Sequence, residues 1–151
     1  MSLITELRQV VADTYALIGQ THICHWNVRG PSFFSLHTAF EEQYSELFMA
    51  VDEIAERIRA KGALAPGGLA NLATMAGIEE IAEDADAKTM VQHLVGATSK
   101  LLDDLRTARD SALVFAAGKQ RFPRGNAFWA RRVKLFGNSA SDSMSNHVDN
   151  E

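Results

Sequence analysis

An all-α bundle is the fold class that the sequence predicts, and three observations predict it. Apolar residues recur at spacings of three and four over three long stretches of the chain. No segment alternates convincingly with period two, so strands are not expected. Gly30-Pro31, Gly62 and Pro66-Gly67-Gly68 punctuate the boundaries between the stretches. At 151 residues the chain fits one domain large enough to bury its own core, and long helices with such links pack as a bundle.

The first helix starts at Ser2, a capping residue type, with Glu6 in the first turns where a negative charge suits the helix dipole. Leu3, Leu7, Val10, Val11, Thr14, Leu17, Ile18 and Thr21 form its inward stripe, and it runs to about Arg29. Gly30-Pro31 stops it, because proline disfavours helical geometry in the residue before it. Pro31-Ser32 opens a second helix to about Lys61, with Phe33, Leu36, Phe40, Tyr44, Leu47, Val51, Ile54 and Ile58 inward. Gly62 stands where a C-terminal glycine cap belongs. Pro66 to Gly77 reads as a long connection holding a short helix around Leu69–Met75. The third long helix starts near Asp86 or Lys88, follows Met90, Val91, Leu94, Val95, Leu101, Leu102, Leu105 and Leu113, and ends by Gly118. Met49, Met75 and Met90 are expected as core fillers.

Past Gly118 the composition changes. Pro123, Gly125 and Gly137 interrupt the chain; Asn126–Phe136 is the helical candidate there, with Trp129, Val133 and Phe136 on one face. Asn138 to Glu151 is rich in Ser, Asn and Asp and is expected to be disordered. The expected organisation is a helical domain over 1–118 and an atypical basic segment with a polar tail over 119–151.

Composition excludes several classes. A 46% hydrophobic and 23% charged chain is ordinary for a soluble globular protein, and a net charge of −4 argues against a surface coated in basic residues. The charge is uneven, however. Lys119, Arg121, Arg124, Arg131, Arg132 and Lys134 follow one another with no acidic residue between Ser111 and Lys134, an asymmetry that suits an anionic partner such as DNA. Cys24 is the only cysteine, so no intrachain disulfide forms; with no base partner evident it reads as a small packed residue. Glu6 and Arg8 precede any long apolar run, so no secretory core is read, and no stretch approaches the roughly 18 apolar residues of a membrane span. A cytoplasmic protein with no membrane partner is the expectation.

The second helix carries the chemistry. His37 and Glu41 are four apart, as are Asp52 and Glu56, and Glu41 to Asp52 is close to three full turns, so all four share one side. Imidazole with carboxylate oxygen suits iron, manganese or zinc. Yet His37 and Glu56 lie about 28 Å apart along a helix, too far for one metal. The positions 37 and 56, and 41 and 52, are symmetric about Glu46 and Leu47. Two copies packed antiparallel about that point bring His37 to Glu56 of the mate and Glu41 to Asp52 of the mate, which builds two equal sites. Tyr44, Leu47, Phe48 and Val51 offer apolar material for the contact. His22 and His25 share a face of the first helix beside the Gly30-Pro31 turn, so His25 can join His37, with Trp26 alongside. The plainer alternative is a solvated face on which Asp52 and Glu56 pair with Arg57 and Arg59. Glu79, Glu80, Glu83, Asp84 and Asp86 read as a solvated linker and helix start.

The run His25-Trp26-Asn27-Val28-Arg29-Gly30-Pro31-Ser32-Phe33-Phe34-Ser35-Leu36-His37 resembles the signature of the Dps family of mini-ferritins. The likeness continues through Phe40-Glu41-Glu42-Gln43-Tyr44 and Asp52-Glu53-Ile54-Ala55-Glu56-Arg57 and spans roughly residues 1–111. It implies a ferritin-like four-helix bundle and a ferroxidase centre between subunits, with His25, His37 and Glu41 from one chain and Asp52 and Glu56 from the other. It also implies a dodecameric shell that oxidises Fe(II) with hydrogen peroxide or oxygen, stores the ferric product and protects DNA. No Glu-x-x-His occurs in the chain, which favours the interface design over the intrasubunit sites of larger ferritins. The ending departs from the family, whose fourth long helix is not readable here; a shifted reading frame is one account. Two other functions stand beside ferroxidase. One is a DNA-compacting protein that uses the basic ending and associates with the nucleoid; the other is a helical interaction protein whose ending prevents assembly.

Overall fold

The computed structural model describes residues 2–116. They form α1 (Leu3–Asn27), α2 (Phe33–Ala60), α3 (Leu69–Met75) and α4 (Ala87–Ala116), with no strand among the described residues. This is the all-helical architecture that the periodicity predicts. The 118/119 boundary, the candidate helix Asn126–Phe136, the basic stretch Lys119–Lys134 and the polar tail lie outside the described residues.

Local chemistry accounts for the helix ends. The Ser2 hydroxyl accepts from the Thr5 amide and caps α1. At the other end the Val28 amide donates to the Cys24 carbonyl at 2.9 Å, and Gly30 turns the chain at φ +104°, a conformation that side chains resist. After α2, Gly62 adopts φ +82° and donates its amide to the Arg59 carbonyl at 2.9 Å. The Asp86 carboxylate accepts from the Thr89 amide at 2.7 Å, which sets the start of α4.

Helix α1 is the hub, packed closely against α2, α3 and α4, while α2 and α4 approach each other less closely. A hydrogen bond from Gln43 Nε2 to Thr98 Oγ1 at 3.3 Å nevertheless joins those two across the bundle. Val10 and Leu17 of α1, Phe40, Leu47 and Ile58 of α2 and Met90 of α4 are among the most deeply buried side chains. Each such apolar side chain stabilises the fold by about 1.5–3 kcal/mol relative to exposure.

Two inward assignments and one contact assignment need correction. Met49 is 65% exposed and is no core filler, although Met90 is buried and Met75 packs partly against the core. Leu113 is 54% exposed. Arg29, just past α1, donates to the Asp84 carbonyl just before α4, and Asp13 nearer the start of α1 meets Lys100 further along α4. The two helices therefore run antiparallel, and Leu113 falls opposite the very start of α1, where little helix remains to cover it. Leu47 and Val51 are buried within the chain itself, so they are not available for contact with a second copy.

Candidate metal centre

The turn at Gly30-Pro31 folds α2 back along α1 and lays His37 against His25. Their rings stack with centroids 3.7 Å apart and planes 20° from parallel. His37 Nδ1 donates to the His25 carbonyl at 2.9 Å, and His25 Nδ1 donates to the His37 carbonyl at 2.9 Å. The His25 carbonyl lies in the last turn of α1, where no further helical amide can reach it, so the His37 ring satisfies it. The reciprocal pair has a chemical consequence. A carbonyl can only accept, so each Nδ1 carries the hydrogen and, in the neutral ring, each Nε2 keeps its lone pair. A ring nitrogen tied to a backbone carbonyl and the other left as a donor is the usual arrangement of metal-binding histidines.

Aromatic rings surround the pair. His37 also stacks on Phe33, with centroids 5.0 Å apart, and His25 meets Tyr44 edge-on at 5.4 Å. His22 lies parallel to Trp26 at 5.1 Å and tilts against Tyr44 at 4.3 Å. Burial holds the His22 imidazole below its ordinary pKa, and the neighbouring His25 adds to the effect. Trp26 itself remains largely exposed, seated on His22.

The carboxylates are placed differently. Glu41 lies one turn beyond His37, and Asp52 and Glu56 lie about three and four turns further along the same uninterrupted helix; all three are exposed. Phe34, Phe48 and Met49 are exposed on the same side of α2. Among the described residues no group of three or more His, Cys, Asp or Glu side chains gathers closely enough to hold a metal ion. One chain therefore assembles the two imidazoles, does not gather Glu41 with them into a metal-holding group, and leaves Asp52 and Glu56 further along the helix.

A family model for the ferritin-like domain matches residues 4–113. A DNA protection during starvation protein of Brevibacillus brevis is 38% identical over 106 residues, covering 70% of this chain and 71% of that protein. The chain belongs to the Dps family. A crystal structure of a Dps protein from Bacillus brevis superposes with a TM-score of 0.73 at 29% identity, covering 93% of this chain and 88% of that one. A low temperature-induced protein of Nostoc sp. is 39% identical over 104 residues; the match takes in 68% of this chain and spans 58% of the length of that relative.

Within this Dps chain the periodicity of α1 does not disclose one set of polar residues. Gln9, Asp13 and Gln20 lie among the apolar positions and grip the connection after α3. Gln9 Nε2 donates to the Met75 carbonyl at 2.9 Å, Asp13 accepts from the Gly77 amide at 2.6 Å, and Gln20 Oε1 accepts from the Ile81 amide at 2.7 Å. The i, i+4 spacing of Gln9 and Asp13, followed seven residues later by Gln20, is the available signal, but it reads equally well as a solvated stripe.

Proposed function

We propose that this Dps-family chain is a mini-ferritin that oxidises Fe(II) at centres shared between two antiparallel copies of α2, and stores the ferric product. The observation that carries the reading is the stacked His25–His37 pair, with both Nδ1 atoms tied to backbone carbonyls and both Nε2 atoms left as donors. Glu41, one turn beyond His37, completes the set from this chain, and a second copy turned end for end brings Asp52 and Glu56 to it. The exposed Phe48 and Met49 lie next to the midpoint of the ligand spacing and supply apolar surface for that contact.

The chemistry follows from the donor set. Fe(II) is the substrate, taken up by two imidazoles and three carboxylates. Carboxylate oxygens favour the ferric over the ferrous ion, which promotes loss of an electron. Two Fe(II) ions give two electrons to one hydrogen peroxide, which with two protons leaves as two waters; oxygen is the alternative oxidant. Removing Fe(II) and peroxide together suppresses hydroxyl radicals, and this accounts for protection of DNA. The assembly in this reading is a homo-oligomer, a dimer at least and a dodecameric shell in full. Residues 1–118 form its ferritin-like domain and 119–151 a distinct ending.

Complementation tests the shared centre. His37→Ala and Asp52→Asn each abolish peroxide-driven Fe(II) oxidation when every subunit carries the substitution. A heterodimer of the two variants regains one intact centre of two and about half the wild-type rate. Zero recovery in a heterodimer of verified composition overturns the shared site.

A second reading, DNA compaction, is favoured by the six basic residues between Lys119 and Lys134. It requires DNA retardation that weakens steeply with salt and vanishes on deleting residues 119–151.

A further inference from the structure

A buried carboxylate far from the histidines holds the chain's long connection in place. The Asp13 side chain is wholly buried on α1. It accepts from the Gly77 amide at 2.6 Å, from Gln9 Nε2 at 2.9 Å and from Lys100 Nζ at 3.1 Å. Lys100 also donates to Asp104, one turn further along α4, at 2.7 Å. The fit is close: a Cβ added to Gly77 would lie 2.8 Å from Lys100 Cε. Two carboxylates, one lysine and a backbone amide of the connection thus meet at one point between α1 and α4.

We propose that Asp13, Lys100 and Asp104 form a clasp that fastens the connection between α3 and α4 to α1, in which a proton on Asp104 can replace the lysine as the bridge. Lys100 and Asp104 are the charged groups of α4 that meet Asp13; α1 adds the neutral Gln9, and the connection adds the Gly77 amide. With both carboxylates ionised, Lys100 screens their mutual repulsion. Without Lys100, a proton shared between them does the same.

The two acids titrate in opposite senses. Burial alone would raise Asp13, but hydrogen bonds from Gln9 and Gly77 and contacts with Asp104 and Lys100 outweigh it and hold it below 3.8. Burial lifts Asp104 above 3.8; the nearby Asp13 carboxylate adds to the rise, and together they outweigh the opposing pull of Lys100. Asp13 therefore contributes stability that is present above the unfolded value and lost as acid passes its lower folded value. The contribution of Asp104 is full below the unfolded value and lost as the pH rises through its higher folded value. On acidification Asp104 protonates first and becomes a donor to Asp13, so the clasp stays shut.

Hydrogen exchange in the full-length protein tests this, with the Gly77 amide as reporter and the Val11 amide of α1 as reference. In the wild type the Gly77 protection factor stays within about threefold between pH 5 and 7. Lys100→Met lowers it by about tenfold at pH 7 and restores it near pH 5, while Val11 is unchanged. Adding Asp104→Asn to Lys100→Met supplies a neutral amide donor and restores protection at pH 7. Unchanged Gly77 protection in Lys100→Met, a loss that acid does not reverse, or an equal loss at Val11 overturns the clasp.

Discussion

His25 and Cys24 are sequence neighbours on α1 and have unlike fates. The Cys24 thiol is fully buried, and burial pushes its pKa up to about 11. The thiolate is the reactive form, so Cys24 in the folded chain should resist alkylation at pH 8 and react only on unfolding. Rapid modification under native conditions, measured by mass, would show that the end of α1 opens locally. His25, one position on, turns its ring to α2, where the His37 carbonyl takes its Nδ1 hydrogen. The difference is one of angle around the helix: a single step of 100° moves a side chain from the packed core to the seam between two helices.

Helix α2 divides its surface between two tasks. Leu47 and Val51 face α1 and are buried, whereas Phe48 and Met49 are exposed on the side that carries Glu41, Asp52 and Glu56. Leu47→Ala should therefore lower the unfolding free energy by about 2–5 kcal/mol. Met49→Ser should change the stability of the single chain by no more than about 0.5 kcal/mol and instead weaken self-association, read by sedimentation against concentration. Equal destabilisation by the two substitutions would contradict this partition. Periodicity placed Leu47 and Val51 on the inward stripe of α2 and left Phe48 and Met49 off it, but it could not tell that the Phe48 ring, while reaching Tyr15 and His22 of α1, stays partly exposed.

For the molecule as a whole, the imidazoles and the distal carboxylates of one chain are held apart by the stiffness of a 28-residue helix. Iron oxidation at the proposed centre then requires oligomers, and particle mass by light scattering should show a dimer or a larger shell under the conditions that give activity. A monodisperse monomer with full ferroxidase rate would exclude the shared centre. Among the described residues no helix is long and apolar enough to cross a membrane.

The helices were legible in the sequence because their signals are local. Ser2 and Asp86 act as caps, Gly30 and Gly62 take positive φ, and heptad-like spacing marks the inward faces over a few turns at a time. The imidazole pair was legible too, since a short turn between two helices leaves few choices of neighbour. The polar grip of α1 on the connection was not. Asp13 and Gly77 are 64 positions apart, and nothing near Asp13 in the chain says that a backbone amide will arrive to make its burial tolerable. Local order was written in the residues themselves, whereas which polar groups could be buried was decided only when distant segments met and satisfied them.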